Sequence, residues 1–155
     1  MRVIVRHLVL TASLASNIVT PCAALTPPVV GEIVQEFAPI GSYAGHWGID
    51  FGVDVGTPAL AAAAGHVTFA GSVAGMLSVT IDHGGGLKTS YSYLSNIKVS
   101  AGDRLRVGDI VGATGLHHGV ASLHFSVRVD GVYEDPAAWL RCGGSIPNAL
   151  WLAPA

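Results

Sequence analysis

Ser122-Leu123-His124-Phe125-Ser126-Val127-Arg128-Val129-Asp130-Gly131 is the run from which the fold can be read. Leu123, Phe125, Val127 and Val129 alternate with other residues at period two, and Asp130-Gly131 ends the run as a turn. Residues two apart on a strand share a face, so Ser122 and His124 look one way while Leu123 and Phe125 look the other. One face is polar and the other is core. Further out, Val79 and Ile81 alternate with polar neighbours, Gly84-Gly85-Gly86 supplies a turn, and Thr89, Tyr91 and Tyr93 continue in period two, which describes a hairpin. Ile97 and Val99, Leu105 and Val107, and Ile110 and Val111 are shorter runs of the same kind, punctuated by Ala101-Gly102-Asp103 and Gly108-Asp109. The pattern predicts an all-β domain.

Helix signals are sparse. Ala61 to Ala64 has the propensity, but Pro58 and Gly65 bracket it and leave room for barely two turns. One helical turn is expected at Asp135-Pro136-Ala137-Ala138-Trp139-Leu140, with Asp135 as N-cap and Pro136 at the first position. Trp139 and Leu140 would dock on the sheet.

With 155 residues, 50% hydrophobic and 12% charged, the chain has the length and apolar content of one domain. Part of the apolar excess sits at the N-terminus, where Arg2 and Arg6 precede the stretch Leu8 to Val19 and Cys22-Ala23-Ala24 follows. Residues 1–24 read as an export signal and 25–155 as the mature domain. The apolar stretch is too short and too rich in Thr, Ser and Asn for a permanent membrane span, which needs roughly 20 mostly apolar residues. Loss of the signal removes Arg2 and Arg6 and no acidic residue, moving the net charge from -2 to -4. That argues against a nucleic-acid ligand. Cleavage after Ala24 would discard Cys22 and leave Cys142 alone in an oxidising compartment; cleavage after Ala15 would keep both and allow a Cys22–Cys142 disulfide. No heptad and no long apolar face is present, and a monomer is expected.

Gly45-His46-Trp47-Gly48-Ile49-Asp50 and the downstream His124 together offer two imidazoles and a carboxylate, a zinc ligand set with a fourth position left for water. On a straight strand His46 and Asp50 would lie about 13 Å apart at roughly 3.3 Å per residue, too far to share an ion. The segment must bend, and Gly45, Gly48 and Gly52 permit it. Other polar residues have plainer readings. His83 is expected to make a structural hydrogen bond, His66 to sit on a strand surface, and Asp54, Asp82 and Asp109 to cap turns. Trp47 is expected to pack over the barrel, with the lining of a peptide groove as the alternative.

His46-Trp47-Gly48-Ile49-Asp50-Phe51, Gly56-Thr57-Pro58-Ala59-Leu60-Ala61-Ala62, Gly65-His66-Val67, Val79-Thr80-Ile81-Asp82-His83, Tyr91-Ser92-Tyr93-Leu94-Ser95, Val107-Gly108-Asp109-Ile110-Val111-Gly112 and Leu123-His124-Phe125 resemble, in order, the lysostaphin/LytM-type zinc endopeptidase domain. The resemblance runs from about residue 30 to 140. It implies a compact antiparallel β-sheet or barrel-like domain of the duplicated hybrid motif type and a single zinc. It also implies cleavage of peptide in bacterial peptidoglycan, and His46, Asp50 and His124 as metal ligands.

Two positions depart from that family. Where it carries Tyr-x-His-Leu this chain has Tyr93, and where it carries His-x-His this chain has Ser122. Loss of a proton-transfer group costs a factor of about 10² to 10⁴. Serine is far too weak a base to compensate, whereas the Tyr93 phenol could donate to a developing oxyanion. His117 and His118, expected on a loop before Ser122, are the available substitutes for the base, His118 in particular. Two function classes follow. One is an exported zinc endopeptidase of the cell envelope, with a zinc-activated water as nucleophile, Tyr93 on the oxyanion and His118 as base. The other is a catalytically silent relative that binds wall peptide or regulates another wall hydrolase.

Overall fold

The computed structural model describes residues 25–42 and 44–141. The segment read as an export signal, and Cys22 and Cys142, lie outside the described residues. In chain order the elements are β1 (Glu32–Gln35), β2 (Ala38–Ile40), β3 (Ala44–His46), β4 (Ile49–Gly52), β5 (Pro58–Leu60), β6 (Gly65–Val73), β7 (Met76–Gly84), β8 (Leu87–Ile97), β9 (Arg104–Leu105), β10 (Ile110–His117), β11 (Val120–Val129), β12 (Val132–Glu134) and α1 (Pro136–Arg141). The all-β expectation holds. β2 and β3 form a small sheet of their own, and the other strands form one antiparallel sheet in the order β1-β4-β11-β10-β8-β7-β6-β9, with β5 on β10 and β12 on β11.

The alternation in β11 does what its sequence requires. Leu123, Phe125 and Val127 are fully buried and join Ile49, Val79, Ile81, Tyr91 and Val111 in the core. The β7–β8 hairpin forms across the triple glycine, with Val79 opposite Tyr91 and Ile81 opposite Thr89. Ala61 to Ala64 is not helical, and the helix at the other end forms as expected. There the Asp135 Oδ1 accepts the Ala137 N–H at 2.9 Å, the bond of an N-cap, and Trp139 and Leu140 pack against the core. No helix among the described residues is long and apolar enough to cross a membrane.

Tyr93 breaks the predicted alternation. Ser92 pairs with Ser78 but Leu94 pairs with the adjacent Leu77, so Tyr93 is an extra residue bulged out of β8, at φ +60°. The bulge returns Leu94 to the core and leaves Tyr93 on the polar side, lining a groove. It also marks a change of partner. β8 pairs with β11 up to Ser92 and with β10 from Leu94 onward, while β11 pairs with β10 up to Ser122 and with β8 from His124. Three strands thus meet at one junction. Their backbones approach so closely that a Cβ on Gly115 would lie 2.5 Å from the Tyr93 carbonyl oxygen. Only glycine fits there.

Candidate metal centre

His46 and Asp50 come from different sheets. His46 ends β3 opposite Ala38, Asp50 lies in β4 opposite His124, and the chain turns between them at Trp47-Gly48. A Cβ at Gly48 would meet the Phe125 carbonyl oxygen at 2.5 Å and the His124 ring at 2.7 Å, so the turn can press against β11 only with hydrogen at that position. Gly45 contributes a positive φ of +81°, but Gly52 has no share in the bend: it continues β4 and packs against Val34.

The bend brings three donor atoms into a triangle. His46 Nε2 lies 3.0 Å from Asp50 Oδ1 and 3.0 Å from His124 Nδ1, and His124 Nδ1 lies 2.8 Å from Asp50 Oδ1. These are the atoms a metal would take. The Glu36 carbonyl accepts the Nδ1–H of His46 at 2.8 Å, which fixes the tautomer and leaves Nε2 with its lone pair. A tetrahedral zinc with bonds of about 2 Å spaces its ligands about 3.3 Å apart, close to these separations. The donor set fits a zinc ion. His46 and Asp50 are buried and His124 is partly exposed, so the site is anchored on one side and reachable from the other.

His117 is also close. Its Nδ1 lies 2.7 Å from Asp50 Oδ2, the carboxylate oxygen turned away from the triangle. Burial pushes the Asp50 carboxyl up, but the hydrogen bonds and charges of His124 and His117 outweigh it and hold the group below the ordinary carboxylate range. His117 stands at the end of β10 rather than on a loop. His118 and Gly119, both at positive φ, make a two-residue turn that pairs His117 directly with Val120, a geometry of the I′ type.

The remaining expected site residues divide. The Tyr93 ring stacks on His117 at 3.9 Å and stands edge-on to His124 at 6.3 Å. His118 lies farther out, 4.5 Å from the His117 ring and 5.9 Å from Tyr93. Ser122 is buried, its hydroxyl donates to the Val120 carbonyl at 3.4 Å, and it does not line the groove beside His46 and His124. For Trp47 the alternative reading holds. It lines that groove, donating Nε1–H to the Ala44 carbonyl and meeting Tyr133 edge-on at 5.5 Å.

His83 makes the structural bonds expected of it, to the Ala64 carbonyl and to Thr89 Oγ1, both at 2.8 Å. Burial pushes its pKa down and outweighs the bond to Ala64. Thr89 in turn lies 3.2 Å from the Tyr91 hydroxyl, which burial pushes up to about 12. Asp82 and Asp109 cap turns with their carboxylates, by accepting from the N–H of Gly84 and of Arg106. Asp54 instead uses its carbonyl, which accepts from Thr57 and Thr114.

The groove has a volume of about 720 Å³ and runs from the triangle of donor atoms across β11, β8 and β7. Its floor was legible in principle, since period two from His124 passes through Ser126 and Arg128 on the same face. The Glu36 carbonyl left no signal, because a main-chain acceptor can come from any residue.

Residues 44–136 match the model of Peptidase family M23. Among curated relatives, the DD-carboxypeptidase/endopeptidase Mpg of Neisseria meningitidis is 36% identical over 97 residues, which are 60% of this chain and 22% of Mpg. The chain spans about a fifth of the length of the curated relatives it matches first. Among solved structures, Helicobacter pylori Csd3 superposes with a TM-score of 0.68 at 28% identity, over 76% of this chain and 33% of that one. The antimicrobial peptidase lysostaphin of Staphylococcus simulans gives 0.62 at 25% identity, over 78% and 55%. The expected antiparallel architecture and the expected kinship are both met, and the chain belongs to Peptidase family M23.

Proposed function

We propose that the chain is an exported zinc-dependent endopeptidase acting on peptide in bacterial peptidoglycan, with residues 1–24 as export signal and 25–155 as the peptidase domain. The observation that carries this reading is the convergence of His46 Nε2, Asp50 Oδ1 and His124 Nδ1 at one end of a groove large enough for a peptide. A zinc ion held there would supply a Lewis acid that polarises a peptide carbonyl and acidifies water.

The surrounding side chains do the rest. His117 donates its Nδ1–H to Asp50 Oδ2, which orients the ring and keeps the Nε2 lone pair free to accept a proton and pass it to the leaving amine. Proton transfer is therefore assigned to His117 rather than to His118, one residue farther along the turn. Tyr93 is held at the ligand triangle by its bulge and its stacking on His117, and its hydroxyl is the donor assigned to the developing oxyanion. Ser122 takes no part in proton transfer. The protein acts outside the cytoplasmic membrane, secreted or in the cell envelope, as a monomer.

The test is to incubate the purified chain with peptidoglycan, with and without chelator, and count newly exposed amines. Chelator-sensitive release is expected, and silence at high protein concentration would end the peptidase reading. A second reading has one observation in its favour: Tyr93 and Ser122 stand where the lysostaphin-type pattern has histidines. Zinc retention and peptidoglycan binding without amine release would favour a silent member that binds wall peptide or regulates another wall hydrolase.

A further inference from the structure

The groove floor is built in rows. Across β11, β8 and β7 the register aligns His124 with Ser92 and Ser78, then Ser126 with Ser90 and Thr80, then Arg128 with Lys88 and Asp82. The first row carries a metal ligand, the second only hydroxyls, and the third is charged. Asp82 ends the third row outside the groove lining, which includes Lys88 and Arg128 and no carboxylate among the described residues, on a chain whose net charge is -2. The two cations differ. Lys88 Nζ is paired with Asp82 at 3.4 Å, whereas Arg128 forms no ion pair among the described residues. Arg128 is nonetheless held in place. Its Nη2 donates to Ser90 Oγ at 3.3 Å and its guanidinium sits 5.3 Å from the centre of the Tyr133 ring. The guanidinium is a planar fork whose geometry matches a carboxylate in two-pronged fashion.

We propose that Arg128 binds a carboxylate of the bound peptide, so that the groove selects acidic peptides over neutral ones. The inference rests on the peptide-binding reading above and adds the substrate class. Arg128 is four residues from His124 on one strand, about 13 Å at roughly 3.3 Å per residue. The carboxylate therefore belongs about three or four residues along an extended peptide from the bond at the ligand triangle. The hydroxyl row between them offers polar contacts without charge, and its small side chains leave room for the peptide backbone.

The experiment uses the zinc-loaded full chain and two fluorescein-labelled probes: a peptidoglycan stem peptide with free carboxylates, and the same peptide fully amidated. Anisotropy read at mixing gives affinity, and amine release in the same samples gives cleavage. The acidic probe is expected to bind about tenfold more tightly, the size of a charge-assisted hydrogen bond. R128Q should erase that preference, R128K, which keeps the charge but not the fork, should retain only part of it, and K88Q should change it little because Lys88 is already paired with Asp82. Equal affinity of the wild-type chain for both probes, no measurable binding of either, or a preference that survives in R128Q overturns the proposal. An acidic preference without amine release sinks the peptidase reading and leaves the Arg128 assignment standing; amine release with equal binding does the reverse.

Discussion

Strands β7, β8 and β11 carry two surfaces of opposite chemistry on one backbone. On the core face Val79, Ile81, Tyr91, Leu123, Phe125 and Val127 are fully buried. On the groove face the same strands present Ser78, Thr80, Ser90, Ser92 and Ser126, with His124 at one end and Arg128 at the other. The core face supplies cohesion, because apolar burial scales with area. The groove face avoids a desolvation penalty by pairing its hydroxyls across strands, Ser78 with Ser92 and Thr80 with Ser90, each at 2.9 Å. Half of the chain is hydrophobic, yet a wide polar floor survives because each strand alternates. Stability and binding are divided between odd and even positions.

Substitutions should separate the two faces. Phe125→Ala, on the core side, should cost about 3–5 kcal/mol in urea unfolding. Its neighbour Ser126→Ala, on the groove side, should cost no more than about 1 kcal/mol. Comparable losses at the two positions would contradict the division.

At the junction where the faces meet, Tyr93→Phe keeps the ring stacked on His117 and removes only the hydroxyl. Turnover of peptidoglycan peptide, read as amine release, should fall by about 10²- to 10³-fold while zinc content is unchanged. An unaltered rate would remove Tyr93 from the oxyanion role.

His117→Ala deletes the hydrogen bond to Asp50 Oδ2 but no ligand atom. Zinc affinity, measured by competition with a chromophoric chelator, should weaken by about 10- to 100-fold, the usual effect of losing a group that orients a ligand. Unchanged affinity would mean that Asp50 is positioned without it.

The smallest effect belongs to His83, half-buried near the end of β7. Its folded-state pKa is held below the ordinary 6.5 chiefly by burial. As pH falls below about 6.5 the unfolded chain takes up a proton that the folded chain refuses, so this residue's contribution to stability is present at neutral pH and lost on acidification. Thermal midpoints followed from neutral pH downward should fall, and His83→Gln should flatten that slope. A slope identical in the variant would show that His83 is not its source.

Where one physical rule governs a whole stretch, the residues alone were enough. Period-two alternation placed β7, β8 and β11 and their buried face, since a strand exposes its sides alternately whatever surrounds it. Asp135-Pro136 marked the helix start because capping is local. The three donor residues that converge, His46, Asp50 and His124, were legible because metals demand particular donors, and the need for a bend followed from the reach of a straight strand. Legibility ended where distant segments compete for space. Tyr93 read as one more residue of a regular strand, and nothing local announced the bulge, because its cause is the meeting of β8 with β10 and β11. His117 and His118 both read as loop residues, with His118 preferred as the base, and a two-residue turn then brought His117 rather than His118 to Asp50.

Taken alone, the order of residues determined the strand pattern, the polar and apolar faces, the donor atoms for a metal and the family. Tertiary structure decided which histidine reaches Asp50, that Tyr93 leaves the core side for the groove, and that Arg128 rather than Lys88 lacks a counter-charge. The physical reason is range: alternation, capping and donor chemistry act within a few residues, whereas a strand junction, a hydrogen bond between residues 50 and 117, and an ion-pair balance depend on segments brought together only by folding.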